Sequence, residues 1–384
     1  MYHVWYLTSS TAILTGMIHI GIDSRLTYYR TGGTATYIRE LVRALHALDD
    51  QNRYTIFRSR KDKSPDTVGF HQAHLWTPSH HKWERLSLSV ELLPHRLDVF
   101  HSPDFIPPQY GAHRHVITVH DLTFLHYPEY LTADSRRYYN DQIQWAAEHA
   151  DHILTVSESA KNDLIRMLNV SPEKITIQPH GVDHQHYRPM DQSRLTEILT
   201  RFGVTPGYFL FVGTIEPRKN LDHLLTAYAA LRTQSSTVPD LILIGKRGWL
   251  ADALIERIGH SVNVRWLDTV TDADLPAFYN GARALVLPSF YEGFGLPILE
   301  AMACGTLPVV SDRSSLPEVA GDVGLRLQPE EPASITQALH AVLDADPDWL
   351  QAQREAALAR AATFTWEHSA RIARDVYQKT VSNP

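Results

Sequence analysis

Ser289-Phe290-Tyr291-Glu292-Gly293-Phe294-Gly295-Leu296-Pro297-Ile298-Leu299-Glu300-Ala301-Met302-Ala303-Cys304-Gly305 is the stretch on which the fold turns. It follows Ala284–Leu287, an apolar run of strand length. It opens a helix at Pro297, in the first turn, where a residue without an N–H is tolerated. Strand, glycine loop and helix form the repeating unit of a parallel sheet covered by helices. The free amides of Phe294, Gly295 and Leu296 at the helix start make a ready anion site. Glu292 falls in the loop and Glu300 in the helix, so the two carboxylates need not share a role. Carboxylates accept hydrogen bonds in fixed directions, which suits the hydroxyls of a polyol. Two Glu eight residues apart are common by chance; the strand–loop–helix setting gives this pair its weight.

Outward from there the same alternation fills the chain. In the first half Tyr54–Phe57, Asp98–His101, Val116–Val119 and His152–Val156 read as strands, after a first strand at Ile18–Asp23. Thr34–Leu48 places Ile38, Leu41, Val42, Leu45 and Leu48 on one helical face, and Thr132–His149 is a second helical stretch. In the second half Phe209–Val212, Leu241–Ile244, Val262–Trp266 and Ala284–Leu287 read as strands, with helices at Leu221–Leu231, Leu250–Ile258 and Leu275–Tyr279. The fold class is therefore α/β, as two Rossmann-like, doubly wound parallel-sheet domains facing across a cleft, the default ligand site. The expected division is 17–200, 201–365 and a closing segment 366–384, with the boundary near Pro189–Pro206. Residues 1–22 lack Lys, Arg, Asp and Glu, but no basic segment precedes the apolar run and five Ser and Thr interrupt it. Met17 reads as the natural start, or 1–16 as a disordered extension.

Composition bounds the rest. The chain has 384 residues, 36 Lys+Arg against 43 Asp+Glu, a formal charge of −7, 22 His and one Cys. That length is too great for one ordinary core and suits two domains. Without clustered Lys and Arg, a dedicated nucleic-acid partner is excluded. A lone Cys excludes a disulfide framework and Cys-rich zinc sites and suits a reducing, cytoplasmic compartment. No stretch approaches the roughly 20 apolar residues of a membrane span. Residues 1–200 carry −2 and 201–384 carry −5, and 18 of the His lie in the first half, where partial protonation would reverse the sign.

Three further elements sit at strand ends. Gly213-Thr214-Ile215-Glu216-Pro217-Arg218-Lys219-Asn220 puts two cations beside the positive end of a helix, costly unless an anion binds there; a solvated pair fits equally well. Thr31-Gly32-Gly33-Thr34 lets a backbone approach a ligand closely, or forms a plain turn. Val119-His120-Asp121 ends a strand, where ligands of open α/β sheets bind, although a lone His there is more often a packed one.

Together with Pro179-His180-Gly181-Val182-Asp183, these motifs resemble glycosyltransferase family 4, from about Met17 to the end. The resemblance implies the GT-B fold and a retaining, metal-independent hexosyltransferase with no cofactor, using a nucleotide-sugar donor as co-substrate. It implies that Glu292 contacts donor-sugar hydroxyls and Glu300 the ribose. The amides of Phe294, Gly295 and Leu296 would hold the sugar or diphosphate, and Arg218 and Lys219 would neutralise the diphosphate. His120 would reach the donor sugar from the other domain, Gly32 and Gly33 would lie near diphosphate and acceptor, and Gly213 would end the donor-side strand. The helix around Trp366–Thr380 would cross back to the first domain. Two departures stand out: Thr214 occupies a position where many members carry a second basic residue, and Pro308 falls one residue later than usual. The best-matching donor is GDP-mannose, with a growing polysaccharide or lipid-linked glycan as acceptor. A UDP-hexose donor, or a non-catalytic sugar-nucleotide-binding protein of the same fold, is the alternative.

Other signals have plainer readings. His180, His184 and His186 lack a fourth ligand for zinc and match an interdomain loop. Cys304 reads as a buried filler. Tyr28 and Tyr29 either stack on an acceptor or cover the first helix. Arg58–Arg85, with Arg58, Arg60, Lys61, Lys63, Lys82, Arg85, Trp76 and Trp83 against Asp62, Asp66 and Glu84, suits peripheral contact with an anionic membrane, at the inner face of the cytoplasmic membrane; a solvated loop and helix fits the same residues. A dinucleotide-dependent oxidoreductase needs Gly-x-Gly-x-x-Gly after the first strand, and Gly21 onward does not supply it.

Overall fold

Parallel strands between two helical layers must be apolar on both faces, and central strands of this protein such as Tyr208–Val212 and Leu241–Ile244 obey that demand. The computed structural model describes residues 16–29, 32–65, 68–81, 83–130, 133–235 and 237–382, and of 133–138, 140 and 141 the backbone only. The readings of an extension at 1–15, and of Thr31, Asp66 and Lys82, fall outside the described residues.

The first sheet holds β1 (His19–Asp23), β2 (Arg53–Ser59), β3 (His71–Leu75), β4 (Leu97–Ser102), β5 (Ala112–Val119), β6 (His152–Thr155) and β7 (Ile175–Ile177), in the order β3-β2-β1-β4-β5-β6-β7. The second holds β8 (Tyr208–Val212), β9 (Leu241–Ile244), β10 (Val264–Leu267), β11 (Ala282–Leu287), β12 (Leu307–Ser311) and β13 (Leu325–Leu327), in the order β10-β9-β8-β11-β12-β13. These strands pair in parallel, with Leu285, for example, opposite Leu210 on one side and Pro308 on the other. All of Tyr208–Val212 and Leu241–Ile244 is buried, and each fully buried Leu or Phe contributes about 1.5–3 kcal/mol. Strand order reverses between β1 and β4 and between β8 and β11, so the carboxyl ends of those pairs open the two crevices where ligands of such sheets bind.

Six helices matter for the site: α1 (Gly33–Leu48), α2 (Glu84–Leu92), α3 (Glu158–Leu168), α4 (Leu221–Gln234), α5 (Leu296–Ala303) and α6 (Trp366–Ser382). The face of α1 carrying Ile38, Leu41, Val42 and Leu45 is buried, as its spacing requires. α6 lies in the same cluster through Trp366, Ala370, Ala373, Val376 and Tyr377. His101 joins Thr118 Oγ1 through Nε2 at 2.8 Å and Tyr377 Oη through Nδ1 at 2.7 Å, which ties α6 to the first sheet. Ser369 O accepts from Gln178 Nε2 at 2.9 Å beside it. The helix Gln192–Arg201 packs Leu195, Ile198 and Leu199 into the second core.

Burial narrows two sequence expectations. Seven of the eighteen His of the first half are withdrawn from any reserve of positive charge: burial lowers His101 to about 3 and His115 and His152 to about 4. It also lowers His19, His95, His120 and His180. Nor does Arg58 belong to a basic surface. It is buried, and its guanidinium donates to Asp62 Oδ2 at 3.1 Å, Gln72 Oε1 at 2.8 Å and Ser64 O at 3.0 Å. No helix among the described residues is long and apolar enough to cross a membrane.

Candidate active site

Both loops at the second reversal point bring charge inward. After β8 the chain turns through Pro217–Lys219 into α4, and after β11 it runs through Ser289–Gly295 into α5, with Pro297 in the first turn. Lys219 Nζ donates to Glu292 Oε1 at 2.6 Å, and Arg218 NH1 donates to Glu292 Oε2 at 2.8 Å. Arg218 Nε lies 2.6 Å from Glu216 Oε1, and Ser289 Oγ donates to Glu292 Oε1 at 2.7 Å. Two cations and two carboxylates thus meet with Lys219, Glu216 and Glu292 all buried. Burial pushes the Glu292 carboxyl up, but Lys219 and Arg218 outweigh it and hold the group at about 2. Burial and the neighbouring Arg218 lower Lys219, against the pull of Glu292 and Glu216. The anion that the Arg218–Lys219 pair demands is therefore supplied by the chain itself, because a buried cation must be paired.

Glycine makes this packing possible. A Cβ on Gly213 would lie 3.6 Å from Lys219 Cε and 3.3 Å from Phe211 Cζ. Gly295 caps α5 at φ +105°, a region closed to most side chains. The Glu292 loop is held by two serines that sequence reasoning missed: Ser314 Oγ accepts from Glu292 N at 2.9 Å, and Ser315 Oγ bonds to the carbonyls of Glu292 and Phe294 at 2.8 and 2.9 Å. No spacing rule singles out such serines in advance.

Across the cleft, His120 Nε2 lies 2.8 Å from Pro103 O. A carbonyl only accepts, so Nε2 carries the proton and Nδ1 is left as an acceptor. Burial lowers its pKa, partly opposed by Asp104, so the ring is neutral. Its neighbour His180 packs between Tyr37, Trp366 and Phe294 and is equally neutral. Among the described residues no group of three His, Cys, Asp or Glu is placed to hold a metal. The domains touch through Gly33, whose added Cβ would sit 3.6 Å from Leu296, and through Ser157 Oγ, which donates to Gly293 O at 2.8 Å. Tyr291 Oη donates to Asp163 at 2.6 Å, and Glu318 accepts from the N–H groups of Glu158 and Ser159, both at 2.8 Å, at the amino end of α3. The two chain crossings meet where Gly181 presses on Trp366: a Cβ there would come within 2.2 Å of its backbone N.

Glu300 stands apart from the quartet. Tyr279 Oη donates to its Oε2 at 2.6 Å, and burial raises the carboxyl to about 7, against the hydrogen bonds of Tyr279 and Tyr187. Cys304, also in this helix end, is fully buried. At the first reversal point lies a residue the sequence did not flag. Arg25, fully buried, donates to both oxygens of Asp23, at 2.9 and 2.6 Å, to Glu84 Oε1 at 2.6 Å and to Thr77 O at 2.7 Å. It staples the loop after β1 to the start of α2.

Two Rossmann-like domains that meet on a charge-paired site at the carboxyl ends of their strands make the architecture that the sequence resemblance implied, GT-B. Comparison with known proteins agrees. A family model described as "Glycosyl transferases group 1" matches residues 200–360, and one described as "Glycosyltransferase Family 4" matches residues 31–186. Over 274 residues the chain is 38% identical to O-antigen chain mannosyltransferase B of Escherichia coli, covering 70% of this chain and 71% of that protein. It spans about a third of the length of some other mannosyltransferases it matches. In fold it is similar to sucrose-phosphate synthase from Thermosynechococcus elongatus, with a TM-score of 0.73 and 20% identity over 94% of this chain and 98% of that one. It is also similar to Anabaena HepE solved with UDP-glucose, with a TM-score of 0.72 and 17% identity over 94% and 99%. The chain belongs to glycosyltransferase family 4.

Proposed function

We propose that the chain transfers mannose from GDP-mannose, with retention of configuration and without a metal or other cofactor, to a hydroxyl of a growing glycan or lipid-linked acceptor. The observation that carries this reading is the cluster at the mouth of β8 and β11, where Glu216 and Glu292 fix the half-buried Arg218 and the buried Lys219 in place as preorganised cations for a charge that develops on the leaving group. The mannosyltransferase relative at 38% identity supports the sugar. Breaking the sugar–diphosphate bond moves negative charge onto the leaving oxygen. Lys219 keeps N–H donors beyond the one given to Glu292, and these meet that oxygen without reorganisation, typically worth about 3–4 kcal/mol per donor. Glu292, ionised and oriented by Ser289, accepts from donor-sugar hydroxyls, and His120 Nδ1 accepts from the same sugar across the cleft. Gly32, Gly33 and Gly213 let backbone approach the ligand, while the amides of Phe294, Gly295 and Leu296 hold the phosphates. The acceptor hydroxyl attacks on the face the diphosphate leaves, and a phosphate oxygen takes its proton.

A thermal-shift panel of GDP-, UDP- and ADP-sugars tests the donor. Selective stabilisation by GDP-mannose is expected, about 2.7 kcal/mol at a hundredfold excess over Kd. Stabilisation by UDP-sugars alone would instead favour the UDP-hexose alternative, and binding without product the non-catalytic one.

Glu300 gives the reading a pH signature. Its folded pKa is raised, so the stability it contributes is intact below the unfolded value and is lost as pH rises through about 7. The ionised carboxylate is the form that accepts from a ribose diol. Donor binding should therefore strengthen through that pH in calorimetric titrations, and Glu300→Gln should remove the inflection. A wild-type affinity flat across one unit either side of that value ends the ribose role.

A lipid-linked acceptor requires a membrane-facing surface, and the exposed apolar side of α2 suits one. Trp83, Leu86, Val90 and Leu93 follow helical spacing along one side of it and are all exposed, as is Trp76, on which Arg60 stacks at 3.9 Å. Arg60, Lys63 and His81 add exposed basic groups nearby. We place this face against the inner surface of the cytoplasmic membrane. Liposome co-sedimentation should rise with anionic lipid and fall with salt, and Trp83→Ala with Leu86→Ala should weaken it; binding indifferent to lipid charge rejects the contact.

A further inference from the structure

Beside α1, a cavity of about 160 Å3 opens between that helix, β2, β3 and the loop following β2, away from the charge quartet. Its floor is apolar, formed by Ile38, Val42, Ile56 and Phe70, and its rim is polar, with Ser24, Thr27, Arg39, Asp62, Ser64 and Gln72. We propose that this cavity is a second saccharide subsite, which holds a neutral sugar unit of the acceptor chain back from the point of transfer. The inference rests on the glycan acceptor proposed above.

Three observations lead there. The first is shape and polarity: a pyranose offers a C–H face and an equatorial rim of hydroxyls, and it fits an apolar floor ringed by fixed donors and acceptors. The second is preorganisation. The buried Arg58 does not face the ligand as a free cation, because Asp62, Gln72 and Ser64 use its guanidinium. It acts as a brace that fixes the rim. Gln72 spends its carbonyl oxygen on Arg58, so what it can offer a ligand is its amide N–H pair. Charge is cancelled in part: Arg58 is paired with Asp62 at 2.6 Å, while Arg43, which also lines the cavity, makes an exposed pair with Glu40 at 2.9 Å. That leaves the exposed Arg39 and Arg43 as hydrogen-bond donors on the rim, and competition by phosphate, below, separates a sugar from an anion.

The third is position. Gly33, at the amino end of α1, faces Leu296 at the donor-side helix, so that end of α1 marks the transfer zone. Arg39 and Arg43 lie six and ten residues further on, about 9 and 15 Å along the axis. A chain whose terminal sugar sits at Gly33 therefore reaches the cavity with an earlier unit. Ser24 and Thr27, just past the carboxyl end of β1, link cavity and cleft on the same edge of the sheet.

The experiment uses the full chain, the donor, and mannose oligosaccharides of increasing length. In the wild type KM should fall as the acceptor grows long enough to fill the cavity, while kcat changes little. Arg39→Ala, an exposed substitution, and Val42→Phe, which fills the floor, should each raise KM for the long acceptor about tenfold, the equivalent of one hydrogen bond to a charged group, and leave KM for free mannose unchanged. Should Val42→Phe fail to fold, Arg39→Ala carries the test alone. Saturation-transfer NMR of the oligosaccharides without donor provides a second readout. Disappearance of the transfer signal from the inner sugar units in Arg39→Ala supports the subsite. A wild type that transfers mannose with no dependence on acceptor length overturns it while leaving the proposed function standing. Absence of transfer to every acceptor counts against the proposed function, and the NMR readout then decides the subsite. Displacement of the oligosaccharide signal by millimolar inorganic phosphate makes the cavity an anion site and also overturns the proposal.

Discussion

Lys219→Ala is expected to lower kcat by about 10²–10³-fold while donor affinity changes only a few-fold. In the resting protein Lys219 already spends one N–H on Glu292 at 2.6 Å, in a cluster where Arg218 supplies the second cation. The donor diphosphate meets both cations in the ground state, so losing one weakens binding only in part. The charge that grows on the leaving oxygen during bond cleavage is different, since it appears only in the transition state and must be met by a donor already in place. Lys219→Ala also leaves Glu292 with Arg218 and Ser289 alone, so its carboxyl should rise from about 2. Lys219→Arg should rescue poorly: the buried ammonium is held as a compact point charge 2.6 Å from Glu292 Oε1, a position that a longer, planar guanidinium does not reproduce. Initial-rate kinetics with varied donor separates the two constants. A Kd that collapses while kcat holds would refute the leaving-group role.

Gly293→Ala should reduce kcat/KM by about a hundredfold without unfolding either domain. A Cβ at Gly293 would lie 2.2 Å from His120 O and 2.9 Å from Asp121 Cβ, both on the opposite domain. Gly293 does not sit in the left-handed region, so alanine is acceptable to its own backbone and the obstacle is the other wall of the cleft. The clash is relieved by separating the walls, which breaks the Ser157 Oγ bond to Gly293 O and draws His120 away from the donor loop. Small-angle scattering should show a larger radius of gyration, with circular dichroism and melting close to wild type. Wild-type turnover together with unchanged scattering would show that the cleft accommodates the methyl group and that this approach is not needed for catalysis.

Legibility follows burial. Strands flanked by helices on both faces, such as Leu241–Ile244, announce themselves as unbroken apolar runs and are legible residue for residue. His71–Leu75 escapes because it is an edge strand with mostly exposed or half-exposed residues and no apolar pattern. Leu307–Ser311 escapes because Pro308 argues against a central strand, yet pairing with β13 begins only at Val309, so the missing N–H falls before the doubly paired segment. The basic stretch Arg58–Arg85 misleads in one respect: composition counts Arg58 as surface charge, whereas the fold buries it as a brace.

By itself the sequence determined the alternation of strand and helix, two doubly wound domains and the loops at which charge is placed, while the resemblance of its motifs supplied the GT-B fold and the family. The elements and loops are written in local order, as apolar runs, glycines and prolines at fixed offsets, which short-range sterics and solvation read directly. Only the tertiary structure decided that Glu292 pairs with Lys219 and Arg218, more than seventy residues away in sequence. The same holds for the closure of Gly293 on His120, for Arg25 buried between Asp23 and Glu84, and for a sugar-sized cavity beside α1. Those features depend on which strand ends become neighbours and on which charges lose their water. A one-dimensional pattern carries neither, because pairing across a sheet and desolvation are properties of the packed chain.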